Sequence, residues 1–437
     1  MKITVFLHRL GLGGTEKAAG IWAKHLLNFP GVEGIRVAAQ EDGPRRQEFQ
    51  DGGLDVCVTD KRALQEAIAW ADVVHSHFVG IPSSAAFLAD AIGKSGRKIP
   101  VVETNVFGKF RLLPSENSGV AYRLFISGVS CVQAARRAGL PLNADFFCRQ
   151  SVAVYPIERL SENELKSVQR AAGAWRISMG LNPLHTLFGR FSRPEPNKWT
   201  PMVLHSFLRA YGKNRSIRLL LQEPPPDVAK ELIRQNLAVG FGAKDPQKPI
   251  LLLPATADSR ALAISQSACD VILHTSSIGE SFGYGIAEPM ALGKPVITHS
   301  VPWHDQAQLE LVRAGETGLI ASVISSLTRA ILQLADDPAL RASLGLAAQR
   351  HISELSDPKI SVQKIMTALR CAAENHDNPD QAMDAEHILQ TARYLDRAQW
   401  GSGLRERLYL AGKSAWMEGL RKQRKLRDQW PHSFVFR

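Results

Sequence analysis

Short apolar runs and helical stretches alternate along most of this chain, and they do so in two series. That alternation leaves few folds open, because it favours βα units and parallel sheets. In the first series strands are expected at 2–7, 34–39, 55–59, 72–76, 99–103, 127–131 and 151–155, with helices at about 15–28, 63–70, 81–92 and 117–125 between them. In the second, strands are expected at 185–189, 216–221, 249–253, 270–274, 295–298 and 317–320, with helices at about 200–211, 226–237, 258–267, 283–292 and 323–336. Residues 157–182 separate the two series; they are polar and helical, with no strand signal, and read as a linker. The pattern therefore implies two α/β halves, 1–156 and 183–354, and a length of 437 residues accommodates them. After 337 the chain reads as wholly helical. Asp337-Pro338 and Asp357-Pro358 are expected helix starts, and a polar break at 375–380 sets off a tail, 377–437, of two further helices.

The segment with the most chemical content is Gly279-Glu280-Ser281-Phe282-Gly283-Tyr284-Gly285-Ile286-Ala287-Glu288. It follows an apolar run ending at His274 and leads into a helix, a glycine cap and the next strand. Two carboxylates, Glu280 and Glu288, thus flank a strand-to-helix turn. In an open α/β sheet such a turn lies at the carboxyl ends of the strands, where ligands bind. The amides of Ser281, Phe282 and Gly283 at a helix start can serve an anion, and the carboxylates can accept from sugar and ribose hydroxyls. The other reading is that Glu280 and Glu288 are ordinary solvated residues of a helix start.

The Glu-x7-Glu arrangement resembles the retaining glycosyltransferases of the GT-B fold, especially glycosyltransferase family 4. The resemblance covers residues 1 to about 372. It implies two Rossmann-like doubly wound domains facing across a cleft, with the acceptor side in 1–156 and the nucleotide-sugar side in 183–354. A helix in 355–376 would cross back onto the first domain. It also implies transfer of a sugar from a UDP-, GDP- or ADP-sugar to a glycan or lipid-linked acceptor, with retention of configuration, in cell-surface polysaccharide or glycolipid assembly. Under it Glu280 orients the sugar hydroxyls and Glu288 binds the ribose.

Four other segments carry the resemblance. Gly11-Leu12-Gly13-Gly14-Thr15-Glu16 follows the first strand; it is not a dinucleotide fingerprint, since Glu16 stands where a third glycine is needed. It is similar to the family's N-terminal Gly-Gly loop, which would bring Gly13 and Gly14 to the donor diphosphate; a plain turn with Thr15 as cap is the alternative. Phe188-Gly189-Arg190 with Lys198 resembles the family's Gly-Arg…Lys signature, whose cations meet the charge that develops on a leaving diphosphate. The loop between them is longer than usual, so Arg193 competes with Lys198. Asp72-Val73-Val74-His75-Ser76-His77 resembles a family strand end that would put His77 at the cleft edge, though a histidine there can equally be structural. Asn105 stands where many members have a histidine near the transferred sugar; it can form hydrogen bonds but cannot titrate. The segment from Pro302 to Val312 matches a family variant and suggests packing.

No Asp-x-Asp triplet occurs, so no metal is expected, and no cofactor beyond the nucleotide-sugar itself. Five scattered cysteines without a C-x-x-C pair point to reduced thiols. No apolar run approaches the ~18–20 residues of a membrane span, and Met1–Leu7 reads as a strand rather than a leader, so a cytoplasmic protein is expected. The net charge is +11, and residues 401–437 hold nine Lys or Arg against three acids. With Leu404, Leu408, Trp416 and Leu420 interspersed, 404–427 can form an amphipathic basic helix that rests on an anionic membrane, or a solvated or self-packed one. Nothing resembles a nucleic-acid-binding signature. Two rival functions stay open: a catalytically silent GT-B binding protein, and an epimerase or hydrolase acting on the nucleotide-sugar.

Overall fold

In a computed structural model the structure describes residues 1–58, 61–107, 120–243, 245, 247–401 and 404–429; the side chains of 61, 405 and 421–429 are excluded. The first half has strands β1 (Lys2–Arg9), β2 (Gly34–Glu41), β3 (Asp55–Val58), β4 (Val73–Phe78), β5 (Val101–Asn105), β6 (Val120–Phe125) and β7 (Gln150–Val152). Its helices are α1 (Gly14–Leu27), α2 (Arg46–Asp51), α3 (Lys61–Trp70), α4 (Pro82–Lys94), α5 (Gly128–Ala138) and α6 (Ala144–Phe147). All seven strands form one sheet in the order β3-β2-β1-β4-β5-β6-β7, and every pairing in it is parallel. Helix α7 (Glu162–Ser178) follows, opened by a capping box between Ser161 and Glu164.

The second half has strands β8 (Thr186–Phe191), β9 (Ile217–Gln222), β10 (Ile250–Leu253), β11 (Val271–Leu273), β12 (Gly279–Glu280), β13 (Val296–Thr298), β14 (Asp305–Gln306) and β15 (Gly318–Ile320). Its helices are α8 (Pro201–Lys213), α9 (Pro226–Arg234), α10 (Ser259–Ala268), α11 (Tyr284–Ala291), α12 (Gln308–Leu311), α13 (Ile324–Asp336) and α14 (Pro338–Leu355). Six strands pair as β10-β9-β8-β11-β13-β15, and β12 pairs separately with β14. β8 and β9 are buried along their whole lengths, which is why they read as continuous apolar runs rather than alternating ones.

Three helices complete the chain: α15 (Pro358–Glu374), α16 (Gln381–Ala398) and α17 (Leu404–Gln429). Pro358 at N1 and the Asp357 carboxylate on the Lys359 amide start α15; Asn375, at φ 59°, ends it. Helix α15 lies on the first sheet. Its Val362, Ile365, Met366 and Leu369 enter the same core as Val5 and Leu124, and the Trp22 indole donates to the Ser361 hydroxyl at 2.8 Å.

Two adjacent sequence expectations are exchanged. Residues 127–131, expected as a strand, open α5, and the helix expected at 117–125 is strand β6 where it is described. The Ser127 side chain accepts from the Ser130 amide and Gly139, at φ 68°, closes the helix. Helix α5 is so deeply buried along Val129, Cys131, Val132, Ala134 and Ala135 that its helical period is masked by apolar residues. β6 is fixed by parallel pairing with β5 and β7 on either side.

Candidate active site

The carboxyl ends of β1, β4, β8 and β11 point at one another across a cavity of about 470 Å³. Gly13, Gly14, Glu16 and His77 line it from the first half; Arg193, Lys198, His274, Glu280, Ser281, Phe282 and Gly283 line it from the second. Glu280 is fixed from three directions. Its amide donates to Gln308 Oε1 at 3.0 Å, its Oε1 lies 3.0 Å from His274 Nε2, and its Oε2 accepts from Lys198 Nζ at 2.9 Å. Burial alone would raise this carboxyl, but Lys198 and His274 together hold it down at about 2. His274 is pulled below its ordinary value, chiefly by burial and against the opposing pull of Glu280, so it is a neutral imidazole near pH 7.

The Pro302–Val312 segment explains how Glu280 is held. β14 pairs with β12, the Ala307 amide donates to the Glu280 carbonyl at 2.8 Å, and Gln308 receives the Glu280 amide. Gly279 sits at φ 64°, and a Cβ there would lie 1.7 Å from the Asp305 carbonyl oxygen, so only glycine allows this approach. The same segment reaches the first half. Glu310 accepts the Gly128 and Val129 amides at the start of α5, at 3.1 and 3.0 Å, and Arg137 pairs with Asp305 at 3.1 Å.

The two glycine-opened helices expected to meet a phosphate differ in structure. Helix α11 opens on Gly283, at φ 109°, with no side-chain cap, and its first turn borders the cavity. This is a free helix N-terminus of the kind that meets anions. Helix α1 opens on Gly13, also without a side-chain cap from that residue, but the Glu16 carboxylate folds back over it: a Cβ on Gly13 would lie 2.4 Å from Glu16 Oε2. Glu16 is nearly buried and its carboxyl is raised, mainly by burial. Gly14 is pressed against Tyr284, where a Cβ would come within 2.8 Å of the ring.

Arg190 does not enter the cavity. It is fully buried beneath it: its guanidinium donates to the Thr275 carbonyl at 2.8 Å and to the Lys198 carbonyl, and stacks 3.7 Å from the Trp199 ring centroid. Burial depresses it to about 9, so it stays charged near neutral pH. The Lys and Arg residues on the cavity wall are Lys198, Arg193, 3.1 Å from Glu195, and Arg9, 3.7 Å from Glu16. Glu288 also stands apart. It faces a second cavity of about 630 Å³, where it pairs with Lys17 of α1 at 2.6 Å and accepts from Gln266 at 3.2 Å. Tyr284 stands at the boundary: its ring lines the first cavity, and Lys17 Nζ lies 5.4 Å from its centroid.

His77 is buried at the first cavity with neither ring nitrogen hydrogen-bonded. It stacks on His75 at 4.6 Å and Trp22 at 5.9 Å, and Trp22 continues through Tyr155 to Phe282 in the other half. Burial, with His75 beside it, holds His77 well below its ordinary value. Asn105 is buried in β5 and donates to Glu103 at 3.4 Å; Val106 and Phe107, not Asn105, reach the cavity. His274, Gln308 and Tyr284 were not singled out from the sequence. Their signals, a histidine ending a buried strand and residues inside matched motifs, are visible only once β12 and β14 are known to pair. Among the described residues no group of three or more His, Cys, Asp or Glu is placed to hold a metal ion.

Comparison with known proteins fits this geometry. No curated protein matches the chain. Among solved structures, Anabaena HepE, in complex with UDP-glucose, is 18% identical over 85% of this chain and 99% of its own, with a TM-score of 0.63. A glycosyltransferase from Rickettsia africae is 13% identical over 89% of this chain and 98% of its own, TM-score 0.63. WaaG, described as a glycosyltransferase involved in lipopolysaccharide biosynthesis, is 12% identical over 83% and 99%, TM-score 0.56. The two parallel-sheet Rossmann-like halves with a helical C-terminal part are thus the GT-B fold, and residues 250–351, which contain Glu280, Gln308 and Glu310, match the family model of the glycosyl transferases group 1.

Proposed function

We propose that this protein is a retaining glycosyltransferase that moves a sugar from a nucleoside-diphosphate sugar to a glycan or lipid-linked acceptor without a metal ion. The observation that carries the reading is Glu280: an ionised carboxylate fixed by Lys198, His274 and Gln308 on one wall of a cavity whose other wall is the Gly13–Gly14 loop. Such a carboxylate, already desolvated and oriented, is suited to accept from sugar hydroxyls without reorganisation. Lys198, Arg193 and the amides of Ser281, Phe282 and Gly283, which lead into α11, supply positive potential for the diphosphate. Arg190 is a positioning residue in this scheme, since its guanidinium holds the Lys198 and Thr275 carbonyls. Glu288 takes the ribose once Lys17 is displaced. On this reading His77 lies toward the acceptor, while Asn105, buried in β5, stands outside the cavity lining.

In the reaction the bond from C1 to the phosphate oxygen breaks and a bond from C1 to the acceptor oxygen forms on the same face. The acceptor's proton passes to the departing phosphate oxygen, so no carboxylate nucleophile is needed. The UDP and UDP-glucose held by HepE and the lipopolysaccharide role of WaaG support UDP-sugars as the first donors to try and cell-surface glycan assembly as the setting.

The test is thermal stabilisation by UDP-, GDP- and ADP-sugars with EDTA present, followed by turnover with acceptor. Stabilisation by one nucleotide class that is lost in Glu280→Gln, with acceptor-dependent consumption of donor, is the expected result. Stabilisation without turnover for any acceptor would make the protein a binding module. Release of free sugar or an epimer without acceptor would make it a hydrolase or epimerase.

A further inference from the structure

Helix α17 is docked on one side and bare on the other. The Glu406 carboxylate receives the Ser322 amide and the Ser326 hydroxyl, Leu410 is completely buried against Val301 and Trp303 with Met417 packed alongside, and Lys413 lies 4.6 Å from the Trp303 ring centroid. These contacts fix which way the helix faces. Away from these contacts Leu408 is 65% exposed and Trp416 61%, with Leu404 and Leu420 also exposed, while the exposed Tyr409 borders the docked side, its hydroxyl accepting from Lys413 at 3.3 Å.

The outward face is apolar throughout its middle turns. At 100° per residue, Leu408, Tyr409, Gly412, Ala415, Trp416, Gly419 and Leu420 fall within an arc of roughly 140° that contains no charge between residues 408 and 420, with Arg405 in the same arc one turn before it. A Cβ on Gly412 or Gly419 would meet nothing, as expected of open space. A solvated helix face would carry its polar residues here. Immediately after this stripe the sequence runs Arg421-Lys422-Gln423-Arg424-Lys425-Leu426-Arg427, five cations and no acid, on the backbone of the same helix. The side chains of 421–427 lie outside the described residues, so only their order enters here.

We infer that the outward face of α17 is a docking surface for an anionic lipid bilayer. The apolar stripe, with an indole and a phenol in it, matches the acyl–headgroup boundary, and the adjoining cations match anionic headgroups. The helix lies on the bilayer rather than crossing it: among the described residues no helix is long and apolar enough to span. This inference is independent of the proposed transfer reaction.

The experiment is co-sedimentation of the full chain with vesicles of phosphatidylcholine alone and with vesicles containing roughly one-third phosphatidylglycerol, at about 0.15 M salt. Binding is expected to be about tenfold stronger to the anionic vesicles, to weaken at high salt, and to fall about tenfold in Leu408→Glu/Trp416→Glu, whose thermal midpoint should be unchanged because both side chains are exposed. A Lys422→Glu/Lys425→Glu variant tests the electrostatic half separately. No binding, equal binding to both vesicle types, or binding unaffected by either variant overturns the inference. A lipid-free dimer that Trp416→Glu disperses overturns it in favour of a second copy of this chain as the occupant.

Discussion

The decisive residues divide into those that touch the cavity and those that hold them. Lys198 touches it and also keeps Glu280 ionised. Lys198→Ala is therefore expected to lower kcat/KM by roughly 10²–10³ and to move the acid limb of the pH–rate profile upward, because Glu280 loses its main opposing charge. A profile unmoved in that variant would remove Lys198 from the mechanism. Glu16 makes the opposite prediction. Its carboxylate sits over the α1 N-terminus, where a donor phosphate would also be placed. Glu16→Gln should lower the donor KM several-fold, roughly 3–10-fold, by removing like-charge repulsion; an unchanged KM would mean that phosphate does not approach α1. Much of this site was legible in the sequence: Glu280, Lys198, Gly283 and His77 all reach one cavity. Arg190 was not, because spacing places a residue on a strand end but says nothing of where its side chain turns. Here Trp199 offers an aromatic face and the Thr275 and Lys198 carbonyls accept the guanidinium, so it folds inward.

Among the elements, the short pair β12–β14 has consequences out of proportion to its length. It couples Glu280 to the segment that caps α5 through Glu310. Burial raises the Glu310 carboxyl while the two α5 amides oppose it. Glu310→Ala leaves those amides without their acceptor, and should destabilise the protein by about 1–3 kcal/mol, measured as a lower denaturation midpoint. It should also impair transfer although Glu310 is not a cavity residue. Undiminished stability would show that the α5 amides find another acceptor. The sequence exposed almost all helices and strands of the second half to within a residue or two, because strictly alternating βα units announce themselves. It failed at β6 and α5, where a buried helix and a strand between two strands carry the same apolar composition. It could not show β12 and β14, each two residues long and paired across a loop.

At the scale of the whole molecule the two halves are joined by a layer of buried, neutral histidines and aromatics around the cleft. Burial holds His75 down at about 4 and His299 at about 3, and His77 and His274 are lowered too. The unfolded chain takes up these protons first, near its ordinary value of 6.5. Stability is thus fully present above that pH and is lost as pH falls below it, each pKa unit being worth about 1.4 kcal/mol per group. The thermal midpoint should decline steadily from pH 7 to pH 5, and His77→Phe should flatten the decline. A midpoint independent of pH across that range would contradict the burial of these rings. The tail binds the halves as well: α16 packs on α5, α6 and α12, Arg136 pairs with Asp396, and Asp384 meets both Ser151 and Lys364.

The placement of α15 on the first sheet sets an order of events during synthesis. The ribosome delivers β1 to β7 early, yet Val362, Ile365 and Met366, which cover that sheet, and the Ser361 hydroxyl that Trp22 donates to are made about 210 residues after β7. At common elongation rates the amino-terminal half waits roughly 10–40 s with that face uncovered. Its folding in the cell is therefore a matter of waiting for α15, and chaperone capture during translation should fall mainly on nascent chains that have not yet extruded Glu374.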